Sequence, residues 1–294
     1  MELLRHKRAL IIGMGGLGSP AALVLARAGV GALTLVDDDD VDITNLQRQI
    51  LFRDADVGRP KAEVAREQLL REAPECAIDA RVVRVEAENA AALFAGHDVI
   101  LDGSDNFETK FLCSDVAMRL AIPLVHAGAL RFQGQLLPVL RGGACVRCLF
   151  EQEPPADEIP SCAQAGVLGA VVGVLGAMQA AVTLELLRGE RVASTLRTVD
   201  LKSGRARELE LAPRADCPTC APLAIDITAE RCPMTYVRTK LRLETLAKGT
   251  VLDVVLRGDE PLRNVPRSLK EDGHQVREIV ALDSERHRVR VEKR

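Results

Sequence analysis

The chain has 294 residues, a length that suits two domains better than one. Hydrophobic residues make up 47% of it and charged residues 28%, which excludes a disordered or fibrous protein. The net charge of −3 and the aromatic content of 2%, without Trp, predict neither a basic surface nor a base-stacking surface. We therefore expect no nucleic-acid partner.

The N-terminal residues do not resemble a secretory signal, because their apolar run is short and broken by glycines. We therefore expect a cytoplasmic protein. Residues 165–187 are apolar over a length that could span a bilayer. That segment contains Gln179 and Glu185 and is rich in Gly, Ala and Val, as a buried helix can be. We predict a buried helix and no membrane partner.

The first half of the chain alternates apolar β-type runs with helical patterns. Taken in order, the expected elements are a strand in RALIIGMG, a helix in SPAALVLARAG, a strand in ALTLVD, a helix in KAEVAREQLLREA, strands in IDARVVRV and HDVILDGS, a helix in FLCSDVAMRLA and a strand in IPLVHAG. This alternation predicts an α/β fold, a Rossmann-like, doubly wound and mostly parallel sheet with sites at the carboxyl ends of its strands.

The composition changes after Leu211, where a segment rich in Pro and Cys reads as a connector. The remaining elements follow the order βαβαββ, which predicts a second, smaller α+β two-layer domain. We place the boundary at residue 221, giving domains of residues 1–221 and 222–294.

A glycine loop follows the first expected strand and opens the first expected helix. Its glycines are Gly13, Gly15, Gly16 and Gly18, and Asp37 ends the next strand. In this context backbone N–H groups and the helix N-terminus can receive phosphate oxygens, and the acid can hold ribose hydroxyls. The pattern alone fits NAD as well as ATP.

The following residues favour ATP. Arg48 and Lys61 are cations of the kind that stabilise a triphosphate and a departing pyrophosphate. The segment Asp102–Asn106 ends a strand with carboxylates that can hold Mg²⁺. An NAD(P)-dependent oxidoreductase remains the alternative.

Two C-x-x-C pairs stand far apart in the chain, Cys145 with Cys148 and Cys217 with Cys220. Four thiolates in such pairs match a closed tetrahedral zinc site, and redox-active dithiols are the alternative. Because the spacing between the pairs is long, the fold must bring them together.

The motif series GxGGLGSP, VDxDxVxxTNLQRQ, GRPK and DGSDN resembles that of the MoeB/ThiF/HesA family, bacterial relatives of ubiquitin-activating enzymes. The resemblance implies a homodimer that adenylates the C-terminal Gly-Gly carboxylate of a ubiquitin-like sulfur-carrier protein. It implies catalytic Arg48 and Lys61, Mg²⁺ on Asp105 and a structural zinc on the four paired cysteines. It also implies ATP contacts from Gly16, Asp37, Asp39, Thr44, Asn45, Leu46, Gln47, Arg48, Lys61, Asp105 and Asn106.

The resemblance also assigns a role to Cys162, which lies on a Pro-rich segment and matches a cysteine able to form a covalent intermediate with the carrier. Family members carry an arginine-bearing helix before the first strand, and this sequence lacks that pattern. A non-catalytic scaffold that binds nucleotide and carrier is therefore a further alternative.

The C-terminal unit resembles the TusA/SirA family of sulfur-transfer proteins through Cys232 and Pro233, which follow a short strand. We expect Pro233 at the first position of a helix and Cys232 at its N-terminus, where the dipole and the basic Arg231, Arg238 and Lys240 favour an anionic sulfur. Cys232 would relay sulfur from a cysteine desulfurase or another donor. Thr235 stands where the family usually has a second proline.

Overall fold

The computed structural model describes residues 2–153, 166–214, 216–221, 223–246 and 248–294. These residues divide into two compact units, Met1–Cys220 and Ala221–Arg294. Each unit has a hydrophobic core of its own.

Unit 1 is built on an eight-stranded sheet with the strand order β3-β2-β1-β4-β5-β6-β7-β8. Strands β1 to β5 pair in parallel, and β5 to β8 pair antiparallel. The strands are β1 Arg8–Ile12, β2 Ala32–Val36, β3 Ala77–Arg81, β4 Val99–Asp102, β5 Leu124–Leu130, β6 Gln133–Val139, β7 Thr195–Asp200 and β8 Arg205–Glu210. The sequence predicted the parallel half, and the antiparallel extension β6–β8 was missed.

The burial of the strands follows from their place in this sheet. β1 is central and covered on both faces, so Ala9 to Ile12 are all buried and apolar. β8 is the edge strand, and every one of its residues is exposed. Its alternating charges, RARELE, protect that edge from pairing with another chain.

The helices of unit 1 cover the sheet. They are α1 Gly18–Arg27, α2 Lys61–Glu72, α3 Ala90–Phe94, α4 Phe107–Leu120, α5 Val146–Leu149 and α6 Gly169–Leu187. By length and composition α6 could cross a membrane, yet it packs against α1, β4, β5 and β6. Its Gln179 Nε2 donates hydrogen bonds of 2.9 Å to the carbonyls of Asp102 and Val125, and the prediction of a buried helix is confirmed for this inner face.

Unit 2 has the predicted βαβαββ order and a four-stranded sheet, β11-β12-β10-β9. Its strands are β9 Leu223–Asp226, β10 Val251–Arg257, β11 Gln275–Ala281 and β12 Arg286–Glu292, and its helices are α7 Met234–Glu244 and α8 Asp259–Glu271. Alternate residues of β10 and β12 form the core with Val265 and Leu269 of α8. Asp253, which β10 turns to the other face, is buried beneath Arg288 and Arg290.

We predict that Leu175→Ala lowers the free energy of unfolding of unit 1 by about 2–5 kcal/mol, because it empties a fully buried site beneath β6. Leu168→Ala, at a position 46% exposed just before α6, is the control and should change it by less than about 1 kcal/mol. Urea unfolding of the full chain measures both. If Leu175→Ala unfolded at the same urea concentration as the wild type, α6 would not be part of the core.

Candidate functional site

The carboxyl ends of β1, β2 and β4 meet at one edge of the large sheet and border a cleft of about 1390 Å³. β1 and β4 are neighbours whose connections run to opposite sides, which is the topological switch point where doubly wound sheets bind ligands. The cleft wall includes Gly13, Gly15 and Gly16. The loop therefore lies where the sequence predicted.

The glycine loop is packed too tightly for side chains. Gly13 has φ +82°, and a Cβ on it would lie 2.8 Å from the carbonyl oxygen of Gly103. A Cβ on Gly18, the first residue of α1, would lie 1.9 Å from the carbonyl oxygen of Gly13. The loop thus brings bare backbone to the cleft and starts α1 beside it, an arrangement that suits phosphate.

Asp37 follows β2 and is 9% exposed. Its carboxylate accepts hydrogen bonds from the backbone N–H groups of Met14, at 2.6 Å, and Asp39, at 2.9 Å. Burial raises the pKa of Asp37 to about 6, although the nearby Lys61 charge acts in the opposite direction. The carboxylate at the cleft wall is therefore held to the glycine loop and ionised at neutral pH.

Lys61 is the first residue of α2, and its side chain is only 6% exposed. Its Nζ lies 2.7 Å from a carboxylate oxygen of Asp39, which is itself exposed. Both residues line the cleft. A buried ammonium at the cleft wall, paired with one exposed acid, is placed to meet an anionic ligand.

The TNLQRQ segment contributes Asn45, Arg48 and Gln49 to the cleft wall. Arg48 donates to the carbonyl oxygen of Thr44 at 3.1 Å, and Gln49 Nε2 donates to Asn45 Oδ1 at 2.8 Å. Gln49 is 3% exposed, and its Oε1 has no hydrogen-bond partner in the described part of the chain. Sequence reasoning missed Gln49, a buried acceptor that a bound ligand can satisfy.

Three other residues of this segment are placed elsewhere. Thr44 and Gln47 are exposed, and Leu46 packs against the hydrophobic core. None of the three is part of the cleft wall in the described structure. Their contact with nucleotide stays a prediction.

Asp102, at the end of β4, is fully buried and holds a polar cluster together. It lies 3.3 Å from Lys110 Nζ of α4 and 2.7 Å from His126 Nδ1 of β5, and Ser104 Oγ donates to it at 2.5 Å. Burial alone would raise the pKa of Asp102, but the Lys110 charge and the hydrogen bonds from His126 and Ser104 lower it well below its usual range.

His126 is neutral in this cluster, because burial lowers its pKa. Since a carboxylate only accepts hydrogen bonds, the imidazole proton lies on Nδ1. The carboxylate of Asp102 is thus occupied by side chains and is not free to bind a metal. The cluster includes His126 and Lys110, neither of which was assigned to the site from the sequence.

Asp105 and Asn106 follow the same strand and line the cleft with exposed side chains. Asn106 caps α4, since its Oδ1 accepts the backbone N–H of Thr109 at 2.8 Å. The exposed Asp105 carboxylate is the group of the DGSDN motif that is available to a cation.

The fold brings the two C-x-x-C pairs together in unit 1. The sulfur atoms of Cys145 and Cys217 are 3.5 Å apart, those of Cys148 and Cys220 are 3.1 Å apart, and all four lie within 4.8 Å of one another. All four cysteines are buried, and the backbone N–H of Arg214 donates to Cys148 Sγ at 3.3 Å. The cluster is compatible with a closed zinc site without an open position.

The thiols of this cluster influence one another. A hydrogen bond from Cys220 lowers the pKa of Cys145 to about 6, and the same interaction raises that of Cys220. Cys145 caps a helix, the four-residue α5. A thiolate is the form that binds a metal.

Asp115 of α4 ties the two cysteine pairs to each other. It accepts hydrogen bonds from Arg147, within the first pair, at 2.7 and 3.0 Å, and from Thr219, within the second pair, at 2.6 Å. Ser114, beside it, accepts the backbone N–H of Val146 at 3.1 Å. The helix that begins at the cleft therefore also holds the cysteine cluster.

Cys162 lies outside the described residues, so its predicted covalent role stays a prediction. Cys76 and Cys113 are buried. Burial raises the pKa of both thiols, that of Cys76 to about 11.

Cys232 in unit 2 is partly exposed and lies just before α7. The helix begins at Met234, with Pro233 as its cap, because the Pro233 carbonyl accepts the first helical hydrogen bond from Val237. The prediction that Pro233 opens the helix was therefore one residue early. Cys232 Sγ lies 3.5 Å from the hydroxyl of Thr235 and 3.9 Å from the amide nitrogen of Asn264.

Two of the three basic residues expected around Cys232 are paired with acids, while the third, Arg231, is exposed and directly precedes the cysteine. Arg238 pairs with Glu230 at 2.9 Å, and Lys240 pairs with Asp272 at 3.2 Å. Their charges are compensated by acids, so the contacts to the sulfur come from an alcohol and an amide. Sequence reasoning missed Asn264, since 32 residues separate it from the cysteine.

Comparisons with known proteins match two different families to unit 1 and unit 2. The profile of the ThiF family matches residues 1–219, and that of sulfurtransferase TusA matches residues 224–293. The chain is 39% identical over 225 residues to the SAMP-activating enzyme E1 of Haloferax volcanii, covering 76% of this chain and 83% of that protein. It is 44% identical over 225 residues to the sulfur carrier protein ThiS adenylyltransferase of Escherichia coli, with coverages of 74% and 88%.

A relative with two activities in its name matches over part of its length. Adenylyltransferase and sulfurtransferase MOCS3 of Anopheles gambiae is 39% identical over 221 residues, which cover 74% of this chain and 50% of that protein. Among solved structures, E. coli MccB in complex with MccA-N7isoASN has a TM-score of 0.66 over 75% of this chain and 68% of its own, and the 20% identity shows a shared fold alone. The chain therefore belongs to the ThiF family and continues, after residue 223, into a region that matches the sulfurtransferase TusA family.

Proposed function

We propose that unit 1 uses ATP to adenylate the C-terminal Gly-Gly carboxylate of a small ubiquitin-like sulfur-carrier protein, and that Cys232 of unit 2 supplies sulfur to the activated carrier. The observation that carries the proposal is the cleft itself. A glycine loop, the ribose-type acid Asp37, the cations Arg48 and Lys61 and the exposed Asp105 border one space. Relatives named sulfur carrier protein adenylyltransferase, 39–44% identical, support it.

The residues present fit ATP and a divalent cation. The bare glycine backbone, the buried Gln49 Oε1, which has no partner in the described residues, and the two cations Arg48 and Lys61 at the cleft wall suit a nucleoside triphosphate. Asp105 would hold Mg²⁺, which when bound neutralises phosphate charge. Asp37 would accept the ribose hydroxyls.

The adenylation step needs positioning and charge stabilisation more than proton transfer. The carrier's carboxylate attacks the α-phosphorus, an acyl-adenylate bond forms, and pyrophosphate leaves with the electron pair of the broken P–O bond. Arg48 and Lys61 would stabilise the charge on the phosphates. The Lys61 ammonium is paired with Asp39, whose carboxylate is exposed to solvent, so a phosphate can replace it as the partner of Lys61.

The sulfur step follows from the leaving group that adenylation creates. A persulfide on Cys232 attacks the acyl carbon, and AMP leaves. The acyl disulfide that results is cleaved by a second thiol, which releases the carrier as a thiocarboxylate and leaves a disulfide on Cys232. The second thiol is supplied by Cys162, whose covalent role the family resemblance implies, or by a molecule from outside the chain. The donor that first supplies the sulfur, such as a cysteine desulfurase, comes from outside the chain.

We also propose that the chain works as a homodimer. Part of α6 faces outward with apolar residues, among them Val174 at 39% exposure, and Val24 on the neighbouring α1 is 38% exposed. A second copy would cover this face. Light scattering of the purified chain at micromolar concentration should give the dimer mass.

ATP–pyrophosphate exchange tests the adenylation directly. We expect exchange that depends on an added Gly-Gly-ended carrier, and we expect Asp105→Asn to lower it by about a hundredfold, because the cation would be lost. Asp54→Asn, at an exposed site outside the cleft wall, is the matched control and should exchange normally.

The other outcomes of this assay separate the alternatives. Carrier binding without any exchange would favour a scaffold, and tight NADH binding without exchange would favour an oxidoreductase. Asp105→Asn with wild-type exchange would contradict the role of Asp105.

The raised pKa of Asp37, about 6, predicts that the difference in unfolding free energy between the wild type and Asp37→Asn changes with pH. Between about pH 4 and 6 the Asp37 carboxyl is protonated in the native state but ionised in the unfolded chain. Its contribution to the stability of the native state therefore decreases as the pH rises through this range. The wild type should therefore gain about 1 kcal/mol of unfolding free energy relative to Asp37→Asn when the pH is lowered from 7 to 5. Parallel urea titrations at both pH values measure it, and an unchanged difference would contradict the buried carboxylate.

The cysteine cluster predicts about one tightly bound zinc ion per chain. Cys148→Ser should lose it and destabilise unit 1, whereas Cys113→Ser, at a buried thiol outside the cluster, should retain it. Asp115→Asn should keep zinc but release it faster to a chelator, by about tenfold, because outer contacts hold the ligands in place. Elemental analysis and chelator kinetics measure these, and a zinc-free wild type purified with zinc present would contradict the assignment.

A further inference from the structure

Thr235 stands where the resemblance to the TusA/SirA family implies a second proline, and the structure shows what its side chain contacts. The family's proline at this position has no hydroxyl or N–H group, whereas the Thr235 hydroxyl lies 3.5 Å from Cys232 Sγ. Thr235 is only 1% exposed, so its hydroxyl is held against the sulfur by packing.

A second polar group reaches the same sulfur from a different helix. Asn264 of α8 places its side-chain nitrogen 3.9 Å from Cys232 Sγ. The amide nitrogen only donates hydrogen bonds, and a hydroxyl donates to any group that lacks a proton of its own. An anionic sulfur on Cys232 therefore meets one donor from α7 and one from α8.

Two of the basic residues expected near the sulfur have acidic partners of their own. Arg238 and Lys240 are each paired with a carboxylate of unit 2. Hydrogen bonds to an ionised acceptor are about twice as strong as neutral ones, and they direct the acceptor along the donor's axis. Within the described residues, the alcohol of Thr235 and the amide of Asn264 are the side-chain groups within hydrogen-bonding distance of the sulfur.

We infer that Thr235 and Asn264 are positioning residues that hold the anionic sulfur of Cys232, as thiolate and then as persulfide, for transfer. In the step concerned, the thiol proton goes to solvent and the thiolate attacks the outer sulfur of a persulfide or polysulfide donor. The new S–S bond forms as the donor's S–S bond breaks, and the donor leaves as a thiolate. This inference rests on the proposed sulfur relay through Cys232.

The test uses the full chain with inorganic polysulfide as donor. Mass spectrometry of the Cys232 peptide follows the rate of sulfur uptake, the lifetime of the bound sulfur and, separately, the rate of alkylation by iodoacetamide. Thr235→Val removes the hydroxyl with little change in shape, and Thr235→Ser restores a hydroxyl. Thr239→Val is the matched control, because Thr239 is equally buried one turn later and its hydroxyl bonds the Thr235 carbonyl.

We expect Thr235→Val to lower the rates of alkylation and sulfur uptake by about tenfold, the effect of one charge-assisted hydrogen bond. Thr235→Ser and Thr239→Val should stay close to wild type. Asn264→Ala should shorten the lifetime of the bound sulfur, which gives a second test on another helix if Thr235→Val folds poorly.

The experiment distinguishes failure of the sulfur relay from failure of the positioning role. If the wild type takes up no sulfur at Cys232, the relay itself fails, and the alkylation rates still show whether Thr235 and Asn264 contact an anionic sulfur. If Thr235→Val and Asn264→Ala match wild type in alkylation, uptake and lifetime, the positioning role is overturned even where the relay holds.

Discussion

The structure of unit 1 depends on one buried charge, the carboxylate of Asp102. Removing such a group from water is costly unless every oxygen is compensated, and here Lys110, His126 and Ser104 supply that compensation. Those partners come from α4, β5 and the loop after β4, so the carboxylate joins three elements at the edge of the sheet. Gln179 of α6 adds a fourth by donating to the Asp102 carbonyl. The position of Asp105 in the cleft follows from this anchoring.

Helix α4 connects the cleft to the cysteine cluster. It begins at the Asn106 cap beside Asp105, and about two turns later Asp115 binds both cysteine pairs. A metal held by the four thiols would therefore stabilise the same helix whose first turn borders the cleft. A metal bound there would therefore act on the cleft through this helix and not by direct contact.

The sequence predicts those features that local patterns encode. The strand–helix alternation, the glycine loop and the C-x-x-C pairs each follow from residues close together in the chain. Strand β8 was missed because all its residues are exposed and its charged residues lie on both faces, so it has no apolar period. Lys110 and Asn264 were missed because their roles depend on partners that the fold brings near, and Gln49 was missed because its burial at the cleft wall depends on the fold. Similarly, Arg238 and Lys240 were assigned to the sulfur from proximity in sequence, while the fold pairs them with acids.

The central claim is that one chain both activates a carrier and supplies its sulfur. The most direct measurement incubates the full chain with ATP, Mg²⁺, a Gly-Gly-ended carrier, polysulfide and a thiol, and follows pyrophosphate release and the mass of the carrier. The account predicts conversion of the carrier's carboxylate to a thiocarboxylate by the wild type. It predicts that Cys232→Ala still releases pyrophosphate but forms no thiocarboxylate. Thiocarboxylate formed equally fast by Cys232→Ala would contradict it.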